Sequence, residues 1–186
     1  MIKDVCHALS EVPGRPRVAL VTGDEYAARL ARQCGFETIH DDENLGETEA
    51  IAMATQQAEK NGAEFSLVIP GDIPLVTADE IARVLAAAPA EGTVLVPAAD
   101  GRGTNAILRR PCALIPCRFG NDSFLPHRAA ARATQKELVV LNGLPGIALD
   151  IDRPEDLAEL AEGEPRTRTQ RLVHEWGVIR RAAAGD

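Results

Sequence analysis

With 186 residues, 45% of them hydrophobic, the chain is long enough for one domain with a full core and too apolar to be disordered. Its net charge of −8 argues against general affinity for nucleic acid or an anionic membrane, so a phosphorylated substrate would need a local cation such as Mg²⁺ or converging backbone N–H groups. There is no apolar run of membrane-spanning length, no signal-peptide core and no zinc-type spacing among Cys6, Cys34, Cys112 and Cys117, so the expectation is a cytoplasmic protein with reduced thiols.

The chain opens with Ile2, Val5, Cys6, Leu9 and Val12 at helical spacing. RVALVT (17–22) then reads as a buried strand, DEYAARLARQC (24–34) as a helix that Gly35 can close, and FETIH (36–40) as a short strand. GETEAIAMATQQAEKNG (46–62) is a long helix, and the acidic run Asp41, Asp42 and Glu43 before it reads as a solvated loop. FSLVIP (65–70) is the most apolar strand candidate. It is followed by the helix TADEIARVLAAA (77–88), whose Thr77 and Glu80 have the spacing of a capping box. TVLVPA (93–98) and NAILRR (105–110) are further strands, and a loop rich in Pro, Cys and Gly leads to a helix around 122–134. ELVVLN (137–142) and GIALDI (146–151) complete the strands, and RPEDLAELAE (153–162) is a helix with Pro154 in its first turn.

This alternation predicts a Rossmann-like, mainly parallel α/β sheet flanked by helices over residues 1–162. Residues 163–168 form a linker to a last helix, 169–184, whose Leu172, Val173, Trp176 and Ile179 would dock on the domain or on a second chain, permitting a homodimer. The chain begins in what should be the helix after a Gly-rich phosphate loop, and neither GxGxxG nor GxxxxGK[ST] occurs in it. Either the fold starts one strand late, or the first strand and loop are absent.

Two groups of acids fall where such a sheet binds ligands, beyond the carboxyl ends of its strands. Asp72 follows Pro70-Gly71 after the most apolar strand, and Asp150 and Asp152 lie two residues apart in LDIDRPED (149–156), so that on an extended chain both project from one side. Three carboxylates at one rim suit Mg²⁺, which binds through one or two of them plus substrate phosphates. The other reading is local: Asp72 ends a strand while Asp152 or Asp156 caps a helix. Between the acids, DGRGTNAI (100–107) sets glycines around Arg102 and then Thr104 and Asn105. FGNDSFLPH (119–127) sets Gly120, Ser123 and His127 at a helix start. These are groups for holding a phosphate or carboxylate, or a turn with its caps. His127 has no nucleophile to serve and reads as structural.

Taken together, GDIPL (71–75), DGRGTNAI, FGNDSFLPH and LDIDRPEDL (149–157) resemble, in order and approximate spacing, the 2-phospho-L-lactate guanylyltransferase family of the MobA-like nucleotidyltransferases. The resemblance covers roughly residues 1–170. It implies a nucleotide-diphospho-sugar-transferase type fold and transfer of GMP from GTP to 2-phospho-L-lactate, phosphoenolpyruvate or 3-phosphoglycerate, with release of pyrophosphate, in coenzyme F-420 biosynthesis. Carried over by motif, Asp72, Asp150 and Asp152 would ligate Mg²⁺, while Thr104, Asn105, Gly120 and Ser123 would hold the acceptor. The sequence departs from the family on the nucleotide side. The family's first strand and Gly- and basic-rich loop do not appear, and Gly46-Glu47-Thr48 stands where the family has Gly-Leu-Asn. A related nucleotidyltransferase with another nucleotide or acceptor, and a non-catalytic relative that binds a phosphorylated metabolite, are the alternatives.

Overall fold

The computed structural model describes residues 1–42, 46–120 and 122–177. The first half runs α1 (Ile2–Ser10), β1 (Ala19–Thr22), α2 (Glu25–Gln33), β2 (Glu37–His40), α3 (Glu47–Lys60), β3 (Ser66–Val68) and α4 (Ala78–Ala86). The second runs β4 (Gly92–Pro97), β5 (Thr104–Arg110), α5 (Phe124–Ala133), β6 (Glu137–Val140), α6 (Pro145–Ala148), α7 (Pro154–Leu160) and α8 (Arg168–Glu175). Helix ends follow their side chains. The Asp24 carboxylate accepts the Ala27 N–H at 2.7 Å to start α2, and Gly35, at φ +75°, turns the chain out of it. The Thr77–Glu80 capping box forms in both directions, hydroxyl to Glu80 N–H at 3.2 Å and carboxylate to Thr77 N–H at 3.1 Å.

A four-stranded sheet in the order β3-β5-β4-β6 forms the centre. β4 pairs in parallel with β6, and β5 runs antiparallel to both β3 and β4, so three of the four strands point one way. β5 is reversed because only residues 98–103 join it to β4, enough for a hairpin and too few for a parallel crossover. Helices cover both faces. On one, Val5, Ile73, Ile81, Val84, Val94 and Leu108 pack together; on the other, Ile51, Leu95, Ile107, Phe124 and Ala131 do so. The middle strands are therefore buried on both sides, each large apolar side chain contributing about 1.5–3 kcal/mol.

β1 and β2 pair in parallel as a separate two-stranded sheet, with Ala19 opposite Glu37 and Thr22 opposite His40. The layers above and below do not share this break. α3 packs on both β1 and β3, and α1 packs on both α2 and α4. Among the described residues β1 pairs only with β2 and β3 only with β5, so each keeps one unpaired edge. RVALVT was expected to be buried. Its strand is exposed at Ala19 and half-buried at Leu20, Val21 and Thr22, and β3 is half-buried throughout, because helices cover their faces while, among the described residues, each keeps an unpaired edge.

Two other expectations change. GIALDI is not a strand: Pro145 opens the short helix α6, and residues 149–151 follow it as extended chain. Gly146 is pressed against its surroundings, its N–H donating to Glu80 Oε1 at 2.8 Å, and a Cβ there would lie 2.3 Å from both Glu80 Oε2 and the Leu75 carbonyl. The last helix docks on its own domain through Val173, which packs with Leu149, Leu160 and Ala161. Leu172 and Trp176 stay exposed, and the expected continuation through Ile179 lies outside the described residues, as does Glu43 of the acidic loop. All four cysteines are free thiols, and among the described residues no helix is long and apolar enough to cross a membrane.

α8 is started by a residue from the other end of the chain. The buried Asp4 carboxylate accepts the N–H groups of Arg168 (2.8 Å) and Thr169 (3.1 Å) and the Thr169 hydroxyl. Asp4→Ala should therefore remove about 1–2 kcal/mol and lower the melting temperature by about 2–8 °C. Hydrogen exchange should show the loss first in the amides of α8; unchanged protection there would remove Asp4 as its anchor.

Candidate active site

The acids predicted from the sequence come from two distant segments that the backbone ties together. β3 leads through Pro70-Gly71 to Asp72, whose carbonyl accepts the Ile151 N–H at 3.2 Å. That bond lays Asp72 alongside residues 150–152. The second segment is held from below by Asn105, at the start of β5. Its side-chain amide donates to the carbonyls of Ile147 (3.0 Å) and Ala148 (2.9 Å) and to Asp150 Oδ1 (3.0 Å). Asp156 supplies the cap that Asp152 was one candidate for: its carboxylate accepts the N–H groups of Asp152 (3.0 Å) and Arg153 (2.7 Å). The Asp152 carboxylate has no such bond among the described residues.

Proximity shows in the charges. Burial raises the proton affinity of Asp72 and its own backbone N–H partly offsets this, while the charges of Asp152 and Asp150 raise it further. One oxygen of Asp72, Oδ1, is buried with no hydrogen-bond partner among the described residues. Glu47, in the first turn of α3, joins them: its carboxylate is raised by partial desolvation and then by Asp72 and Asp152. The helix start is Gly46 with no side-chain cap, so Glu47 is not a cap and stands as a fourth acid on this rim. The sequence marks Glu47 only as a departure from the family, an acid that either faces the nucleotide or caps the helix; nothing local links positions 47 and 72.

Such a cluster suits a hard cation. All the donors are carboxylate oxygens, a buried one (Asp72 Oδ1) lacks a partner among the described residues, and their mutual repulsion is what a divalent ion relieves. Among the described residues no three acidic, histidine or cysteine groups converge tightly enough to hold an ion alone.

Beside the acids lies a group of neutral donors. The hairpin between β4 and β5 is closed by Asp100, whose carboxylate accepts the N–H groups of Arg102 (2.8 Å) and Gly103 (3.3 Å). Arg102 grips Asp122 through two hydrogen bonds, and its carbonyl accepts the Phe124 N–H at 2.8 Å, fixing the hairpin to the start of α5. Ser123 occupies the N-cap position without capping. Its Oγ accepts the N–H of Thr104 at 3.0 Å. The Thr104 hydroxyl lies 3.0 Å from His127 Nδ1, and His127 Nε2 accepts the Arg118 N–H at 2.8 Å. Thr104, Ser123 and His127 are all buried. Gly120, at φ +115°, lies exposed on the loop before them. Under the site Arg109 is buried, bonded to Thr55 Oγ1, Ser66 Oγ and the Ile115 carbonyl, its own charge disfavoured by desolvation.

A profile of the family described as "Guanylyl transferase CofC like" matches residues 1–178. The chain belongs to this family. As a member of the guanylyltransferase family it is a nucleotidyltransferase, and two relatives illustrate the range of acceptors. A phosphoenolpyruvate guanylyltransferase of Sphaerobacter thermophilus is 40% identical over 166 residues, covering 89% of this chain and 79% of the relative. A 3-phospho-D-glycerate guanylyltransferase of Colwellia psychrerythraea is 35% identical over 143 residues, covering 76% of this chain and 67% of the relative. The fold is that of a putative nucleotide-diphospho-sugar transferase from Desulfovibrio desulfuricans, with TM-score 0.75 at 20% identity over 97% of this chain and 82% of that one.

Proposed function

We propose that this chain joins GMP from GTP to a small phosphorylated carboxylic acid, with release of pyrophosphate, in coenzyme F-420 biosynthesis. The observation that carries this reading is the joining of the acid rim to the buried hydroxyls through β5: Thr104 faces Ser123 and His127, and the next residue, Asn105, holds Asp150. Asp72, Asp150 and Asp152 would hold Mg²⁺, which supplies charge neutralisation for the triphosphate and the leaving pyrophosphate. Thr104, Ser123 and the Gly120 backbone would bind the acceptor's phosphate and carboxylate. Asn105 is a positioning residue on this reading, because its amide N–H groups are already engaged.

The acceptor phosphate oxygen forms the new bond to the α-phosphorus of GTP as the bond to the β-phosphate oxygen breaks. The phosphate is already an anionic nucleophile, so no protein base is needed, and the chain's contribution is alignment and a preorganised polar site. The edges of β1 and β3 support a further part of the proposal, one more strand carrying a loop to the nucleotide. Among the described residues β1 pairs only with β2 and β3 only with β5, while α3 packs on both β1 and β3, so each strand keeps an edge open to a further strand.

A second reading, a binder of phosphorylated metabolites without turnover, is favoured by Glu47, a fourth negative charge that would repel a triphosphate. Mg²⁺-dependent pyrophosphate release from GTP separates them, with phosphoenolpyruvate, 2-phospho-L-lactate and 3-phosphoglycerate offered in turn. It should be run on this chain and on a version extended upstream by one strand and loop. Release with one acceptor, by either version, is the expected result. Silence of both versions with all three acceptors, alongside binding of one of them, would replace the enzyme by the binder.

A further inference from the structure

His127 does more than fill space under α5. It is buried, and each of its ring nitrogens meets a different partner. The Arg118 amide can only donate, so Nε2, 2.8 Å away, must carry a lone pair. A neutral ring with a bare Nε2 has its proton on Nδ1, and Nδ1 lies 3.0 Å from Thr104 Oγ1. The imidazole therefore donates to the threonine oxygen, and the threonine's own proton is left to point elsewhere. Burial, aided by the nearby Arg109 charge, pushes the ring's pKa down to about 4, which keeps it neutral at physiological pH.

Ser123 is placed in the same state by a different donor. Its oxygen accepts the Thr104 N–H at 3.0 Å instead of capping α5, so its hydroxyl proton is also unengaged. Among the described residues neither hydroxyl has a protein acceptor. Two buried hydroxyls that already accept from the protein, and have nothing to donate to, recognise a group that only accepts. An anionic oxygen of phosphate or carboxylate is such a group, and it can take both free protons at once.

We propose that His127 is a positioning residue that locks the Thr104 hydroxyl as an outward donor, making Thr104 and Ser123 a two-donor cradle for the anionic oxygens of the acceptor. This rests on the acceptor reading above and adds the device that sets the polarity of its site. Phe119, edge-on to the ring at 5.4 Å between centroids, holds the imidazole plane.

Two measurements on the full chain test it. Ring ¹⁵N NMR, with the His127 signals assigned by their loss in variants, should show the proton on Nδ1 and a bare Nε2 at neutral pH. An Nε2–H tautomer or an imidazolium would overturn the proposal whatever the ligand does. Calorimetric titration with phosphoenolpyruvate then compares His127→Asn, whose amide can stand in for Nδ1–H, with His127→Gln, whose amide oxygen can replace only Nε2. Gln should weaken binding about tenfold or more and Asn should recover most of it. In a Thr104→Val background, Gln should have no further effect. Equal losses in Asn and Gln, tracking their melting temperatures and adding to Thr104→Val, would make His127 merely structural. If the wild-type chain binds no phosphorylated acid, the acceptor reading falls and this proposal falls with it. Wild-type binding with indifferent His127 variants removes the present proposal alone.

Discussion

Asp72→Asn should lower Mg²⁺-dependent pyrophosphate release by about a thousandfold while leaving the fold intact. The same substitution should raise the melting temperature of the metal-free protein at neutral pH. Both effects have one cause. Asp72 puts a partly buried charge among Asp150, Asp152 and Glu47, with one oxygen lacking a partner among the described residues, an arrangement unfavourable until a cation joins it. Asparagine keeps the shape and removes the charge. With partial exposure discounting the repulsion, the gain should be about 1 kcal/mol, or about 2–4 °C for a chain of this size.

The pH dependence follows with a definite sign. Asp72 and Glu47 hold their protons more tightly in the folded chain than in the unfolded one. Their contribution is therefore fully present below the ordinary carboxylate pKa of about 4 and is lost as pH rises through their raised folded values. Metal-free wild type should gain stability relative to Asp72→Asn as pH falls across that window, so the advantage of the variant should vanish near pH ~4. Mg²⁺ added together with GTP should stabilise wild type at neutral pH more than GTP alone does, and should give the variant no such gain over GTP. A variant less stable than wild type at pH 7 without metal would show that repulsion does not govern this rim.

The outline of this arrangement was legible in the sequence only through four segments taken together. An acid just past an apolar strand, two more at a spacing of two, and glycines around Arg102 before Thr104 each read equally as a strand end, a cap or a turn, and it is their order and its resemblance to a family that pointed to a site. Other features were set by tertiary contacts that no local pattern carries. Glu47 joined the acids only because α3 crosses from β1 to β3 and aims its first turn at Asp72. The link of His127 to Thr104 depends on the Arg118 amide occupying the ring's other nitrogen. For GIALDI a signal was present and outweighed. The apolar run suggested a strand, yet Pro145 suits the first turn of a helix and Gly146 had to fit against the Leu75 carbonyl. The hairpin of residues 98–103 likewise announced a reversed β5 through its length alone.

Asn105→Ala should be the most damaging change to a residue that contacts neither substrate nor metal. Asn105 sits at the start of β5, which gives it a fixed backbone, and its amide reaches Ile147, Ala148 and Asp150 at once. Ala148 keeps a second donor, the Ala99 N–H at 2.8 Å, so its carbonyl survives the loss. Among the described residues the carbonyl of Ile147 and the bonded oxygen of Asp150 have no such reserve. Leaving a buried carbonyl without its donor should cost about 1–3 kcal/mol, read as a melting temperature lower by about 2–12 °C. Freeing Asp150 should weaken Mg²⁺-dependent turnover by about 10- to 100-fold, the usual effect of losing a partner that orients a ligand. Asn105→Asp separates the two effects. It keeps the volume but places another carboxylate against Asp150, so turnover should fall further than in the alanine variant. Added Mg²⁺ should then raise its melting temperature more than it raises that of wild type. If both variants retain wild-type turnover in Mg²⁺, Asp150 needs no positioning and Asn105 serves only to hold α6 to the sheet.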